Sequence, residues 1–213
     1  MLLVTIHGTN MDSFFFCTFM VQRMWLAVRF VTLFMSVSMT VNGPPRNLFS
    51  RKAIRKIMTS LHPTMDSPTI EHCVPQSHYK KTDRWRMARD MHGLTCLPRH
   101  LNSHRSNYRL VESISQTEKH DKHGVFAPPP EYRGVYARSI GYIVLTYPSY
   151  ASLVHTNVLD LNLLIKWSEM YPCTYADEVV HANVASLQQN ANPLFLNAVD
   201  AYHDITTMLP RSQ

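Results

Sequence analysis

The chain has 213 residues, enough for one domain or for one domain with a long extension. Its apolar fraction of 45% is that of a globular protein, and four scattered cysteines with no CxxC exclude a disulfide framework. Charge is uneven: residues 1–130 hold 17 Lys+Arg against 8 Asp+Glu, while residues 131–213 hold 4 against 7. A basic arm suited to a polyanion, or simply solvated, thus precedes a mildly acidic domain.

From Ser13 to Met65 there is no acidic residue, while Arg23, Arg29, Arg46, Arg51, Lys52, Arg55 and Lys56 are spread among apolar and hydroxyl side chains. That is the composition of a mitochondrial transit peptide, and matrix delivery is expected. A membrane contact through residues 14–41 is the alternative, although Arg23 and Arg29 interrupt the apolar run, and Phe30–Val41 is too short to span a bilayer. Asn42-Gly43-Pro44-Pro45 stops any helix, so residues 1–45 form a first segment.

Ser50 is placed to cap a short basic helix over Arg51–Met58, and Pro63, Pro68 and Pro75 break the chain beyond it. Residues 78–109 interleave cations with aromatics. Phosphates are neutralised by cations and unpaired bases stack on flat rings, so Arg51, Lys52, Arg55, Lys56, Lys80, Lys81, Arg84, Trp85, Arg86, Arg89, Arg105 and Arg109 are the candidate nucleic-acid-binding residues. His72, Cys73, His92, Cys96 and His100 are zinc-type residues, but their spacing fits no known finger and no metal site is assigned. Pro128-Pro129-Pro130 is a stiff boundary between a mostly irregular basic extension, 46–130, and a helical domain, 131–213.

In that last segment the pattern predicts four helices: Gly134–Thr146, Asn157–Met170, one capped by Thr174, and one opened by Asn192-Pro193. The expected fold class is all-α, a C-terminal four-helix bundle behind the extension.

Ala137-Arg138 through Leu145, Tyr147-Pro148, Tyr171-Pro172-Cys173 and Tyr202-His203 together resemble the Erv/ALR sulfhydryl oxidase domain. The resemblance implies a flavin enzyme whose chemistry is gone. Ala176 stands where the second cysteine belongs, Gly141 and Leu145 replace the flavin-stacking Trp and the ligand His, and one thiol cannot cycle through an internal disulfide. It leaves no catalytic or cofactor-binding residue and no cofactor. The function expected is therefore non-catalytic: a structural subunit of the mitochondrial ribosome, with ribosomal RNA and neighbouring proteins as partners and no small-molecule substrate. The alternatives are an accessory subunit of an inner-membrane respiratory or ATP-synthase complex and, less favoured, an active thiol oxidoreductase.

Overall fold

The structure is a computed structural model that describes residues 43–113, 124–195 and 198–208. Residues 1–42, and with them the targeting or membrane expectation for residues 14–41, lie outside the described residues. Among the described residues no helix is long and apolar enough to cross a membrane.

Helix α1, Arg51–Ser60, starts at Ser50, whose hydroxyl accepts from the Ala53 N–H at 3.2 Å. Ile54 and Met58, four residues apart and on one side, are buried with Met91, Leu94, Cys96 and Val184. Arg51, Lys52, Arg55 and Lys56 are left on the exposed side. Strand β1, Pro68–His72, pairs antiparallel with β2, Leu94–Pro98, from Pro68 opposite Pro98 to His72 opposite Leu94. Between them lie the short helix α2, Arg84–Met87, and the turn Met91–Gly93. Helix α3, Arg99–Arg105, continues from β2 without a break. Its Asn102 amide donates to the Thr69 hydroxyl and the Ile70 carbonyl of β1, both at 2.9 Å. Two strands and a helix are thereby closed into one small ββα unit. A two-residue parallel pair, β3 (Arg109–Leu110) with β4 (Val125–Phe126), leads to the long helices.

Helix α4, Pro130–Thr146, is buried along most of its length. Proline tolerates the first turn because its missing N–H has no helical partner there. The expected second helix is two: α5, Ala151–Asn157, and α6, Leu161–Met170, which Asp160 restarts by accepting from Asn162 and Leu163 N–H groups. Helix α7, Tyr175–Gln188, opens on a capping box between Thr174 and Asp177. Asn192-Pro193 begins a 3₁₀ turn, Pro193–Phe195, and the last helix, α8, spans Ala198–Thr207.

The mostly helical expectation holds, but the helices do not close on themselves as a four-helix bundle. Cys73, Val74, Met87 and Leu97 share one core cluster with Ile140, Trp167, Leu194 and Ile205. Residues on both sides of Pro128–Pro130 supply that core, and the arm expected to be mostly irregular carries the ββα unit.

Arg105, expected on nucleic acid, is instead fully buried. Its Nε lies 3.3 Å from Glu71 Oε1, off the line of an aligned hydrogen bond, and its Nη2 donates to the Cys73 carbonyl at 3.2 Å. Removing one partner of a buried pair leaves the other charge uncompensated. Arg105→Ala is expected to lower unfolding free energy by about 3–5 kcal/mol in urea denaturation. Arg55→Ala, at an exposed position, should stay within about 0.5 kcal/mol of wild type.

Candidate active site

A cleft of about 500 Å³ lies where α1 faces the ββα unit. Arg51, Lys52 and Arg55 of α1 line it together with His72 and Gln76, and Ile54, Ile70, Ala88 and Leu94 complete the lining. Side chains alternate across a strand, so consecutive residues of β1 serve opposite faces. Glu71 is buried toward Arg105 and Tyr136, whose hydroxyl donates to Oε1 at 3.3 Å. His72 is half-buried and faces the cleft.

The His72 imidazole is fixed from two sides. Nε2 is 3.3 Å from the Ala88 carbonyl, at the end of α2. The Gln76 amide nitrogen lies 2.9 Å from Nε2 and 3.3 Å from Nδ1. The Ala88 carbonyl can only accept and the Gln76 amide nitrogen can only donate, so the two contacts hold the ring through opposite roles, and one nitrogen of the neutral imidazole keeps its lone pair, as a base needs. Burial is the main cause that lowers the His72 pKa below its usual 6.5, and the Arg51 charge adds to it, while the Ala88 bond opposes. Glu71 moves the other way: burial pushes its carboxyl up to about 7, against the pull of Arg105 and the Tyr136 hydroxyl.

A buried polar centre stands behind the site. Asp90, wholly out of solvent, accepts from the Tyr142 hydroxyl at 2.8 Å, the Tyr147 hydroxyl at 3.0 Å, the Gln188 amide at 3.1 Å and the His92 N–H at 3.3 Å. Burial raises its pKa to about 6 and these donors oppose the rise, so it stays ionised at neutral pH. His92 is pushed down to about 4 by burial, and its Nε2 meets the Asn190 carbonyl at 3.2 Å.

The candidate nucleic-acid residues divide three ways. Arg51, Lys52 and Arg55 come together at the cleft, and Lys56 is exposed on the same helix. Lys80, Lys81, Arg84, Trp85 and Arg86 are exposed on and before α2, with Arg89 stacked on Trp85. Arg105 is sealed in the core, and Arg109 is half-buried, its Nη2 3.5 Å from the His155 carbonyl. Of the zinc-type residues, Cys73, Cys96 and His92 are buried, His100 is exposed and only His72 reaches the cleft. Burial drives both thiols up, Cys96 to about 11. Sequence reasoning misses His72 and Gln76 as a pair at the cleft. The signal is a histidine at the end of a short strand with an amide four residues on.

Tyr171-Pro172-Cys173, which carries the oxidase resemblance, is a structural corner. Its Tyr171 carbonyl accepts from Arg138 Nη1 at 2.8 Å, and the backbone passes so close to Gly134 of α4 that a Cβ there would collide with it. The Cys173 thiol is raised to about 12, chiefly by burial, and is no ready nucleophile. A Cβ at Gly141 would meet the tip of the Leu194 side chain, which would have to shift.

No curated protein matches the chain. A family model described as Endonuclease I matches residues 51–199. That match overturns the Erv/ALR resemblance, and with it the expectation of a non-enzymatic ribosomal subunit partnered by ribosomal RNA and neighbouring proteins. It runs from the basic helix through the ββα unit and α7, taking in every residue that lines the cleft. The chain belongs to the Endonuclease I family.

Proposed function

We propose that the chain is an endonuclease that hydrolyses phosphodiester bonds of a nucleic acid in the cleft between α1 and β1. The observation that carries this reading is the placement of His72 in one cleft with Arg51, Lys52 and Arg55. A phosphodiester carries a negative charge that grows more dispersed in the transition state. The three cations hold the strand by that charge and read no sequence. The neutral His72 imidazole takes a proton from water as the water oxygen bonds to phosphorus, the bond from phosphorus to one sugar oxygen breaks, and that oxygen leaves as a hydroxyl with a proton from solvent. The Gln76 amide, near both ring nitrogens, keeps the ring from turning and can orient the water.

His72→Ala is expected to slow cleavage of a labelled oligonucleotide by about 10²–10⁴-fold, with circular dichroism unchanged. An unaltered rate would remove His72 from the chemistry. Because the pKa of His72 lies below 6.5, the neutral base persists into mild acid. The acid limb of kcat/KM against pH should then fall below pH 6.5, and a limb above that value would contradict the assignment.

A further inference from the structure

Trp85 is the most exposed large hydrophobic residue among the described residues, 60% accessible on a four-residue helix. An indole is mostly apolar surface, and burying one is among the larger single contributions a side chain can make. Here it is held outward. The Arg89 guanidinium carbon stands 4.8 Å from the indole ring centre, while Arg89 Nη1 donates to the Trp85 carbonyl at 2.9 Å. That bond fixes the cation over one face of the ring, and the exposure of the side chain leaves the opposite face to solvent. Lys81, Arg84 and Arg86 are exposed around it.

The position relative to the cleft matters as much as the exposure. Trp85 is three residues before Ala88, whose carbonyl holds His72, so its backbone stands on the same side of the helix as Ala88 and about one turn, ~5 Å along the axis, away from it. We propose that Trp85, backed by Arg89, is a stacking subsite for an unpaired nucleobase next to the phosphate being cut, so that the substrate is a single-stranded or locally opened nucleic acid. This rests on the endonuclease reading and adds the class of substrate. Within a duplex both faces of each base are covered by neighbouring bases, and no ring is free to meet the indole. An unpaired strand offers base faces, and its phosphates fall among Lys81, Arg84 and Arg86.

The test uses the full chain with His72→Ala, so that substrate survives, and measures binding of a 2-aminopurine oligonucleotide as single strand and as duplex. With Trp85 intact, the single strand should bind with quenching of the 2-aminopurine. Trp85→Ala should weaken single-strand binding about 5- to 150-fold, the range for loss of one stacked base, and change duplex binding less than about 2-fold, since paired bases do not reach the ring. Trp85→Phe should keep most of the affinity. The slope of affinity against salt should be unchanged in both variants, because no phosphate contact is lost. Equal losses on both substrates, or none, would overturn the subsite. Cleavage by the chain with His72 restored is assayed in parallel. Selective stacking without cleavage would refute the endonuclease reading and leave the platform standing, whereas cleavage indifferent to Trp85 would do the reverse.

Discussion

A single buried carboxylate holds the parts of the site in register. Asp90 is cut off from water, and an isolated charge in such a place would be expelled or neutralised. Four donors around it make the ionised form tolerable: Tyr142 and Tyr147 from the end of α4, Gln188 from the end of α7, and the N–H of His92. Gln188 also accepts from the Met91 N–H at 2.6 Å, and Asn190 donates to the Tyr142 hydroxyl at 2.8 Å. None of these groups can move without orphaning another. The turn that feeds β2 is therefore fixed against two long helices, and β2 in turn sets the register of β1 and the height of His72.

The same logic runs through β1 on a smaller scale. Its alternation sends Glu71 inward and His72 outward, and the two need opposite surroundings. Glu71 lies against Arg105 and Tyr136, and those contacts hold the strand to α3 and α4. His72, on the other face, is buried enough to stay neutral and open enough to meet a ligand. A register slip of one residue would exchange them, placing an imidazole in the charge pair and a carboxylate among the cleft cations.

The helices are largely legible in the sequence, and for local reasons. Ser50 and Thr174 are caps with their partners three residues on, whereas Pro130, which reads as part of a stiff boundary, opens the first turn of α4. The ββα unit is not legible. Its strands have five residues each and both end in the pair Pro68–Pro98, so prolines that read as breaks are the outer rungs of a hairpin-like ladder. β1 also mixes burial with charge, which hides the alternation. Arg105 looks like one cation among many, because nothing local marks it as the counter-ion of Glu71, 34 residues earlier. The oxidase resemblance fails for a related reason. Tyr171-Pro172-Cys173 does form a tight corner, but what the corner supplies is a carbonyl for Arg138, and Arg138 also reaches Asp177 of α7 at 3.2 Å.

Comparing α1 with α7 separates function from folding. A helix N-terminus carries partial positive charge and favours acidic residues in its first turn. α7 obeys, with Asp177 and Glu178 there. α1 does the opposite: its first turn has no acid and opens on Arg51-Lys52. Those cations repel the dipole and each other, and neither makes a salt bridge among the described residues. A helix shaped for stability alone would not begin this way. The unfavourable local electrostatics are offset by Ile54 and Met58, buried against β2 and Val184, which hold the helix in place regardless. Departures of this kind concentrate at functional sites. The positive lining of the His72 cleft is kept at the expense of local stability, which is the arrangement expected where a polyanion completes the charge balance.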